Sequence, residues 1–137
     1  MQIRQLLSLA GAGLLLAAAV PAIAHHAFSA EFDANAPVEL KGTVTRMEWI
    51  NPHSWIHIDV VNEDGEVEQW MVEGGAPNAI LRRGFTADSL KPGTVILVEG
   101  YQARDRSFRA NGRDITFEDG TKLFVGAGSR GAPDGRD

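Results

Sequence analysis

The chain contains no cysteine among its 137 residues. This absence excludes thiol catalysis, iron–sulfur clusters and cysteine-ligated zinc, and it leaves the hydrophobic core to stabilise the fold without disulfides. Catalytic signatures are missing as well, since there is no HExxH sequence, Gly-rich phosphate loop, Ser/His/Asp arrangement or paired-carboxylate motif. No catalytic residue is predicted, and the balance is against an enzyme.

The chain also lacks an apolar run long enough to span a membrane. Leu6–Val20 is uncharged and rich in Leu and Ala, but it is shorter than the roughly 20 residues that a spanning helix needs. Arg4 precedes it, and Pro21–Ala24 follows with Ala at the two positions that signal peptidase recognises. Residues 1–24 are therefore predicted to be a signal peptide cleaved within one or two residues of Ala24, with a retained anchor as the alternative. No Cys follows the cleavage site, which excludes a lipoprotein, and we expect a periplasmic or secreted protein without a membrane span.

Basic residues are too few for a nucleic-acid partner. Removal of Arg4 with the signal peptide leaves 12 of the 13 Lys and Arg residues against 18 Asp and Glu residues. The remaining chain of about 113 residues is long enough for one domain only. The predicted organisation is an N-terminal arm at residues 25–36, a domain at residues 37–125 and a disordered Gly-rich tail at residues 126–137.

Strand patterns dominate the predicted domain. A single short helix is expected where Pro77 suits the first turn and Gly84 the end, with Ile80 and Leu81 facing the core. This order is typical of the five-stranded Greek-key barrel called the OB-fold, with one short helix between strands three and four, and a small mixed sandwich is the alternative. The predicted elements are strands at Val38–Trp49, Trp55–Val61 and Val67–Glu73, a helix at Pro77–Arg83, and strands at Val95–Tyr101, Arg113–Phe117 and Lys122–Val125.

Strands two and three are expected to form a hairpin whose register can be deduced. If Glu63–Gly65 is a three-residue loop with Gly65 in the left-handed conformation, the isoleucines of strand two face Trp70 and Val72. A slip by one residue would place Trp70 beside an aspartate. The preferred register pairs Ile58 with Trp70, Ile56 with Val72, His57 with Met71, and Trp55 with Glu73.

Several motifs carry a resemblance to known proteins. Leu40–Val44 and the Lys91–Gly93 turn resemble segments of small periplasmic OB-fold proteins. The chain after residue 24 also resembles a family of small exported bacterial proteins known only as a domain of unknown function. This resemblance implies an exported location and does not indicate any activity. The residues that carry it are His25-His26-Ala27-Phe28, Trp49-x-Asn51-Pro52-His53-Ser54-Trp55, Trp70 with Glu73, and Ser89-Leu90-Lys91-Pro92-Gly93.

Cleavage after Ala24 would make His25 the first residue. Its free α-amine and its imidazole can then chelate one metal ion, and His26 offers a second imidazole. Such nitrogen-rich, flat coordination is preferred by Cu(II), and both groups lose protons near neutral pH. The arrangement resembles the histidine brace of exported copper proteins in its chemistry only. The alternative is an ordinary polar terminus, and cleavage at a neighbouring bond would remove the amine chelate.

Further metal ligands are predicted in and beside the hairpin. On a strand, His53 and His57 are about 13 Å apart and cannot share a metal unless a turn at Asn51-Pro52 folds His53 back. His57 and Met71 are a plausible copper pair on the face that also carries Trp55 and Glu73. Either a ligand uses this face, or the helix or the arm covers it; an arm in that place would bring His25 and His26 to it. Each histidine is otherwise a hydrogen-bonding surface residue.

The last candidate is the connection between strands four and five. Its arginines either bind an anionic sugar or lipid headgroup or form a salt-bridged surface loop, and the second interpretation is preferred. Two functions follow: an exported copper-binding protein, or an interaction module that binds a protein or glycan through the Trp55/Met71 face without metal. The predicted ligand-binding residues are Trp49, Trp55, Trp70, Arg104, Arg106 and Arg109, and the predicted metal ligands are His25, His26, His53, His57, Met71 and Glu73.

Overall fold

A computed structural model of the protein describes residues 28–86 and 88–126. The predicted signal peptide, His25, His26 and the tail beyond residue 126 lie outside the described residues. The chain divides into two units, and residues 31–128 form the unit that holds every described strand. Within the described part of the chain, no helix has the length and hydropathy that a membrane span requires.

The unit is a mainly antiparallel sheet of six strands with one short helix. The sheet order is β3-β2-β1-β4-β5-β6, and an additional parallel pairing of β3 with β5 makes a near-closed ring of five strands. The elements are β1 (Phe32–Glu48), β2 (Trp55–Val61), β3 (Val67–Glu73), α1 (Pro77–Leu81), β4 (Val95–Ala103), β5 (Arg109–Phe117) and β6 (Lys122–Phe124).

The core lies inside the ring and is built from alternate strand positions. Alternation puts one side chain in two towards the interior, so β-branched residues of β2, β3, β4 and β5 meet there. Trp70 is buried among them. The fully buried side chains include Ile56, Ile58, Val72, Ile96, Val98 and Ile115, together with Ile80 from α1 and Phe85 after it.

The predicted hairpin is confirmed in every pair. Trp55 pairs with Glu73, Ile56 with Val72, His57 with Met71 and Ile58 with Trp70. The loop closes where the Asn62 amide donates to the Glu66 carbonyl over 2.9 Å. Gly65 has a φ of 81°, the left-handed conformation that the sequence predicted for the third loop residue.

Other predicted bounds differ from those observed. β1 begins at Phe32, inside the segment predicted as an arm, and β5 begins at Arg109 instead of Arg113. The helix ends at Leu81, and a turn carries the chain through Gly84. The prediction that Leu81 faces the core is wrong, because Leu81 is 44% exposed while Ile80 is fully buried. Successive residues of a helix point about 100° apart, so a helix of this length buries one of the two.

Candidate functional site

One outer face of the ring gathers most of the residues that the sequence selected. The hairpin register places Trp55, His57 and Met71 on this face together with Glu73. The parallel pairing with β5 adds Arg109 beside Met71 and Asn111 beside Glu73. The face therefore combines an aromatic ring, a thioether, imidazole and both signs of charge.

His53 precedes β2 and contacts the buried end of β3. Its Nδ1 lies 2.5 Å from Glu73 Oε1, although the angle between them is not that of a hydrogen bond. Nδ1 itself is buried, yet the side chain as a whole is 38% exposed. The exposed part of the side chain therefore does not include Nδ1. Among the described residues, no hydrogen bond or ion pair engages Nε2 of His53.

Glu73 is a buried carboxylate in a charged environment. Burial raises the pKa of the Glu73 carboxyl above its ordinary value, and the nearby Glu31 carboxylate raises it further. His53 and Arg109 oppose this rise by favouring the ionised form. The structure therefore places a carboxylate next to one nitrogen of the His53 imidazole.

His57 is engaged in a different contact network. Its Nε2 lies 3.1 Å from Glu48 Oε1 and 3.1 Å from Arg46 Nη2, and these two residues form an ion pair of 2.6 Å. Nε2 either donates to the carboxylate or accepts from the guanidinium, depending on the tautomer. His57 is thus directed towards β1, whereas His53 is directed towards β3 on the other side of β2. The structure does not bring the two imidazoles together, and it pairs His57 with Met71 only as backbone neighbours.

Arginine side chains of the loop between β4 and β5 form ion pairs with carboxylates of the chain itself. Arg106 Nη2 lies 2.8 Å from Asp33 Oδ2, and Arg109 Nη2 lies 3.5 Å from Glu31 Oε1. The guanidinium of Arg109 is also 5.7 Å from the centre of the Trp55 ring, which is a cation–π distance. Arg104 donates its backbone amide to the Glu31 carbonyl over 2.9 Å. These contacts favour the salt-bridged loop over the anion-binding alternative.

The three tryptophans do not form one surface. Trp70 is buried, stacks on Phe108 with ring centres 5.4 Å apart, and donates its indole N–H to Glu68 over 2.9 Å. Trp49 packs against the core from its edge. Only Trp55 lies on the outer face that carries Met71 and Arg109.

Sequence reasoning missed Glu31, Glu48 and Asn111, which the structure brings to this face or beside it. Asn111 was missed because β5 was predicted to begin at Arg113. The alternation of polar and small residues in Arg109-Ala110-Asn111-Gly112-Arg113 is a period-two signal that indicates the longer strand. No group of three or more His, Asp or Glu side chains in residues 28–86 and 88–126 is arranged to hold a metal ion.

The chain was compared with known protein families, curated proteins and solved structures. The model of a family of unknown function matches residues 12–112, which is more than half of the chain. No curated protein matches the chain. No solved structure matches it either.

Proposed function

From the premise that the chain belongs to DUF6152, a family of unknown function, we propose that it is an exported protein that binds one Cu(II) ion. The proposed ligands are the α-amine and imidazole of His25, the imidazole of His26, and Nε2 of His53. Glu73 lies behind His53 as an outer-sphere carboxylate. His57 and Met71 are not part of the proposed set, because His57 Nε2 is already engaged by Glu48 and Arg46.

The observation that carries the proposal is the contact between His53 and Glu73. The buried carboxylate lies next to Nδ1, and among the described residues no hydrogen bond or ion pair engages Nε2. Histidines that bind metals commonly donate the N–H of the other ring nitrogen to a carboxylate, and the close approach of Glu73 to Nδ1 puts a carboxylate at that position.

The start of β1 supports a composite site. Glu31 contacts Arg109, which stacks on Trp55 and whose charge acts on Glu73. His25 is six positions before Glu31, and six residues extend to about 20 Å at most. The proposal requires the two N-terminal histidines, which lie outside the described residues, to reach His53 over this length of chain. A set of amine and imidazole nitrogens favours copper over zinc by both ligand type and the Irving–Williams order.

We further propose that the fold is an OB-like Greek-key barrel located in the periplasm or secreted. The ring of five strands and the short helix between β3 and β4 support the first part, since both belong to the OB arrangement. The signal peptide pattern of residues 1–24 supports the second part.

The test compares copper binding by four proteins: the chain beginning at His25, the same chain with one Ala added before His25, and the His53→Ala and His57→Ala variants. Intact mass of the exported protein establishes the first residue and the number of bound copper ions. We expect the added Ala and His53→Ala each to weaken Cu(II) binding by more than about tenfold, because each removes a ligand. His57→Ala is the matched control and is expected to bind as the parent does.

Two results would contradict the proposal. If the Ala-extended protein binds copper as tightly as the parent, the α-amine has no role. If the parent binds no better than a variant without histidines, copper binding is wrong altogether.

The alternative function is then an interaction module that uses the Trp55/Met71 face. It is favoured by one observation, the exposure of Val61 and Val67 (65% and 59%), which continue this face to the hairpin loop. Soluble glycan fragments added to the labelled protein would then shift the amide resonances of β2 and β3 and leave those of β6 unchanged.

A further inference from the structure

The edge of β3 that faces away from β2 is unpaired from Val67 to Trp70. The Met71 amide donates to the Phe108 carbonyl over 2.9 Å, and the parallel pairing with β5 begins there. Because the backbone groups of a strand alternate between its two edges, those of Val67 and Gln69 point to the same side as those of Met71. Within residues 28–86 and 88–126, no strand pairs with β3 on this side before Met71. This edge therefore offers backbone amide and carbonyl groups to an added strand.

Apolar side chains flank the unpaired edge at both ends. Val67 is exposed beside the hairpin loop, and so is its partner Val61 on β2. At the other end, Phe108 is exposed and its ring centre lies 5.4 Å from that of Trp70. A strand added at this edge would gain main-chain hydrogen bonds and would also cover apolar surface.

The hairpin beside the edge is strongly acidic. No Lys or Arg occurs between Arg46 and Arg82. The hairpin carboxylates that form no ion pair with any described residue are Asp59, Glu63, Asp64, Glu66 and Glu68. A partner that carries Lys or Arg is therefore complementary to this surface in charge.

The charge also decides between the possible occupants of the edge. A second copy of the chain would bring two acidic hairpins together, and like charges opposite each other in a sheet are destabilising. A neutral segment would form the same main-chain hydrogen bonds but would gain nothing from the carboxylates. A basic segment gains from both.

We propose that the β3 edge from Val67 to Trp70 is a docking site for an extended segment of another protein, rich in Lys or Arg and in β-branched apolar residues. The segment pairs with the outward backbone groups of Val67 and Gln69, and its basic side chains meet the carboxylates of the hairpin. The site contains none of the proposed copper ligands. It can therefore be tested on the metal-free protein, and its failure would leave the copper proposal as it stands.

The first experiment adds a synthetic peptide of alternating Lys and Val, about eight residues long, to the chain that begins at His25, with chelator present. We expect the peptide to slow hydrogen exchange at the Val67 and Gln69 amides and to leave that of Leu123 in β6 unchanged. The same peptide with every backbone amide N-methylated keeps its charge and loses its main-chain donors, so it should bind at least about tenfold more weakly. Equal binding of the two peptides would overturn strand addition, and no binding of the first would overturn the docking site.

The second experiment tests the charge of the hairpin. Glu66 is exposed in the hairpin, and Glu66→Lys should weaken peptide binding about fivefold. Glu118→Lys is the matched control, because it makes the same change in net charge at an exposed residue of the turn between β5 and β6. We expect it to bind the peptide as the parent does. An equal loss in both variants would show general attraction to an acidic protein and would overturn the site.

The third experiment tests the backbone groups and the second copy. Gln69→Pro removes one outward amide, and proline is accepted on edge strands, so peptide binding should fall while the circular dichroism spectrum is retained. If this variant does not fold, the N-methylated peptide and Glu66→Lys still decide the proposal. Sedimentation of the parent alone should show a monomer. A dimer that Gln69→Pro converts to a monomer would assign the edge to a second copy and overturn the proposal.

Discussion

Replacement of His53 by Ala removes the closest partner of a buried carboxylate. Glu73 has 8% of its side chain exposed, and His53 Nδ1 lies 2.5 Å from it. With Ala at position 53, the charges that still act on Glu73 are Arg109, which favours the ionised carboxylate, and Glu31, which opposes it. We expect the metal-free His53→Ala protein to be less stable than the parent near neutral pH, because the desolvated carboxylate has lost its nearest compensation.

The magnitude follows from the position of the pair. Removal of one partner from a fully buried ion pair costs about 3–5 kcal/mol, whereas exposed pairs contribute about 0–1 kcal/mol. His53 is 38% exposed and Arg109 remains, so the expected loss lies between these limits, at about 2 kcal/mol. Glu73→Gln retains the size and removes the charge, so a change below about 1 kcal/mol is expected.

The Glu73 carboxyl makes the expected loss of stability depend on pH. Burial raises the pKa of Glu73 in the folded protein, so the native state binds more protons than the unfolded state between the two pKa values. Stability from this group is complete below the unfolded pKa and is lost as pH rises through the folded pKa. Since His53 opposes the rise in the Glu73 pKa, His53→Ala raises that pKa further. The difference between variant and parent should therefore grow from acid to neutral pH.

Urea unfolding followed by circular dichroism measures this difference. Parent, His53→Ala and Glu73→Gln are compared with chelator present at about pH 4.5 and about pH 7, with equal m-values required for the comparison. His57→Ala serves as the control, because Glu48 keeps its ion pair with Arg46. An equal loss for His53→Ala at both pH values would refute the reasoning, as would a Glu73→Gln protein that is as unstable as His53→Ala.

Two predictions concern the sheet itself. Gly100→Ala should cost about 3 kcal/mol or more in urea unfolding, because its Cβ would lie 2.1 Å from the Asn111 carbonyl oxygen, which is backbone and cannot move aside. Gly65→Ala, with no atom within 4 Å and a φ of 81°, should cost only about 1–2 kcal/mol, and the reverse order would contradict the observed contact. Glu99→Gln should lower stability at neutral pH by less than about 1 kcal/mol, because the hydrogen bond from Lys122, with help from Arg113, holds the pKa of Glu99 below its usual value. The stability from Glu99 is present above the unfolded pKa and is lost as pH falls through the folded one, so a thermal-unfolding difference that persists in strong acid would contradict it.

The hairpin was predictable because three local signals agree in it. Alternation in Trp55–Val61, a Gly at the third loop position and the burial of Trp70 all require the observed register. The starts of β1 and β5 were not predictable in the same way. Asp33–Pro37 contains poor strand formers, and β4 pairs with the chain at Phe32 and Pro37 with an irregularity between them. Gly112 weakens the strand pattern, yet a Cβ there would lie 2.7 Å from a methyl group of Val72.

The residue types of the candidate site could be predicted from the sequence, but the contacts between them could not. His53 and Glu73 were both selected, but nothing local indicates that they touch, because a turn and the end of a strand 20 positions later meet only in the folded ring. Glu31 and Arg109 are farther apart still, and no periodic pattern relates them. Copper binding at His25 and His26, and export itself, stay predictions.

The parallel pairing of β3 with β5 has a consequence for how binding and folding are connected. It consists of three residue pairs, Met71–Glu73 with Arg109–Asn111, and it joins segments that are far apart in the sequence. Glu73 lies on β3 and Arg109 lies on β5 in this pairing, and the proposed ligand His53 contacts Glu73. A ligand that binds only the closed ring stabilises it by mass action. Copper bound at the proposed site would then stabilise the closed ring at its shortest described pairing between ring strands, and loss of the metal would weaken closure there.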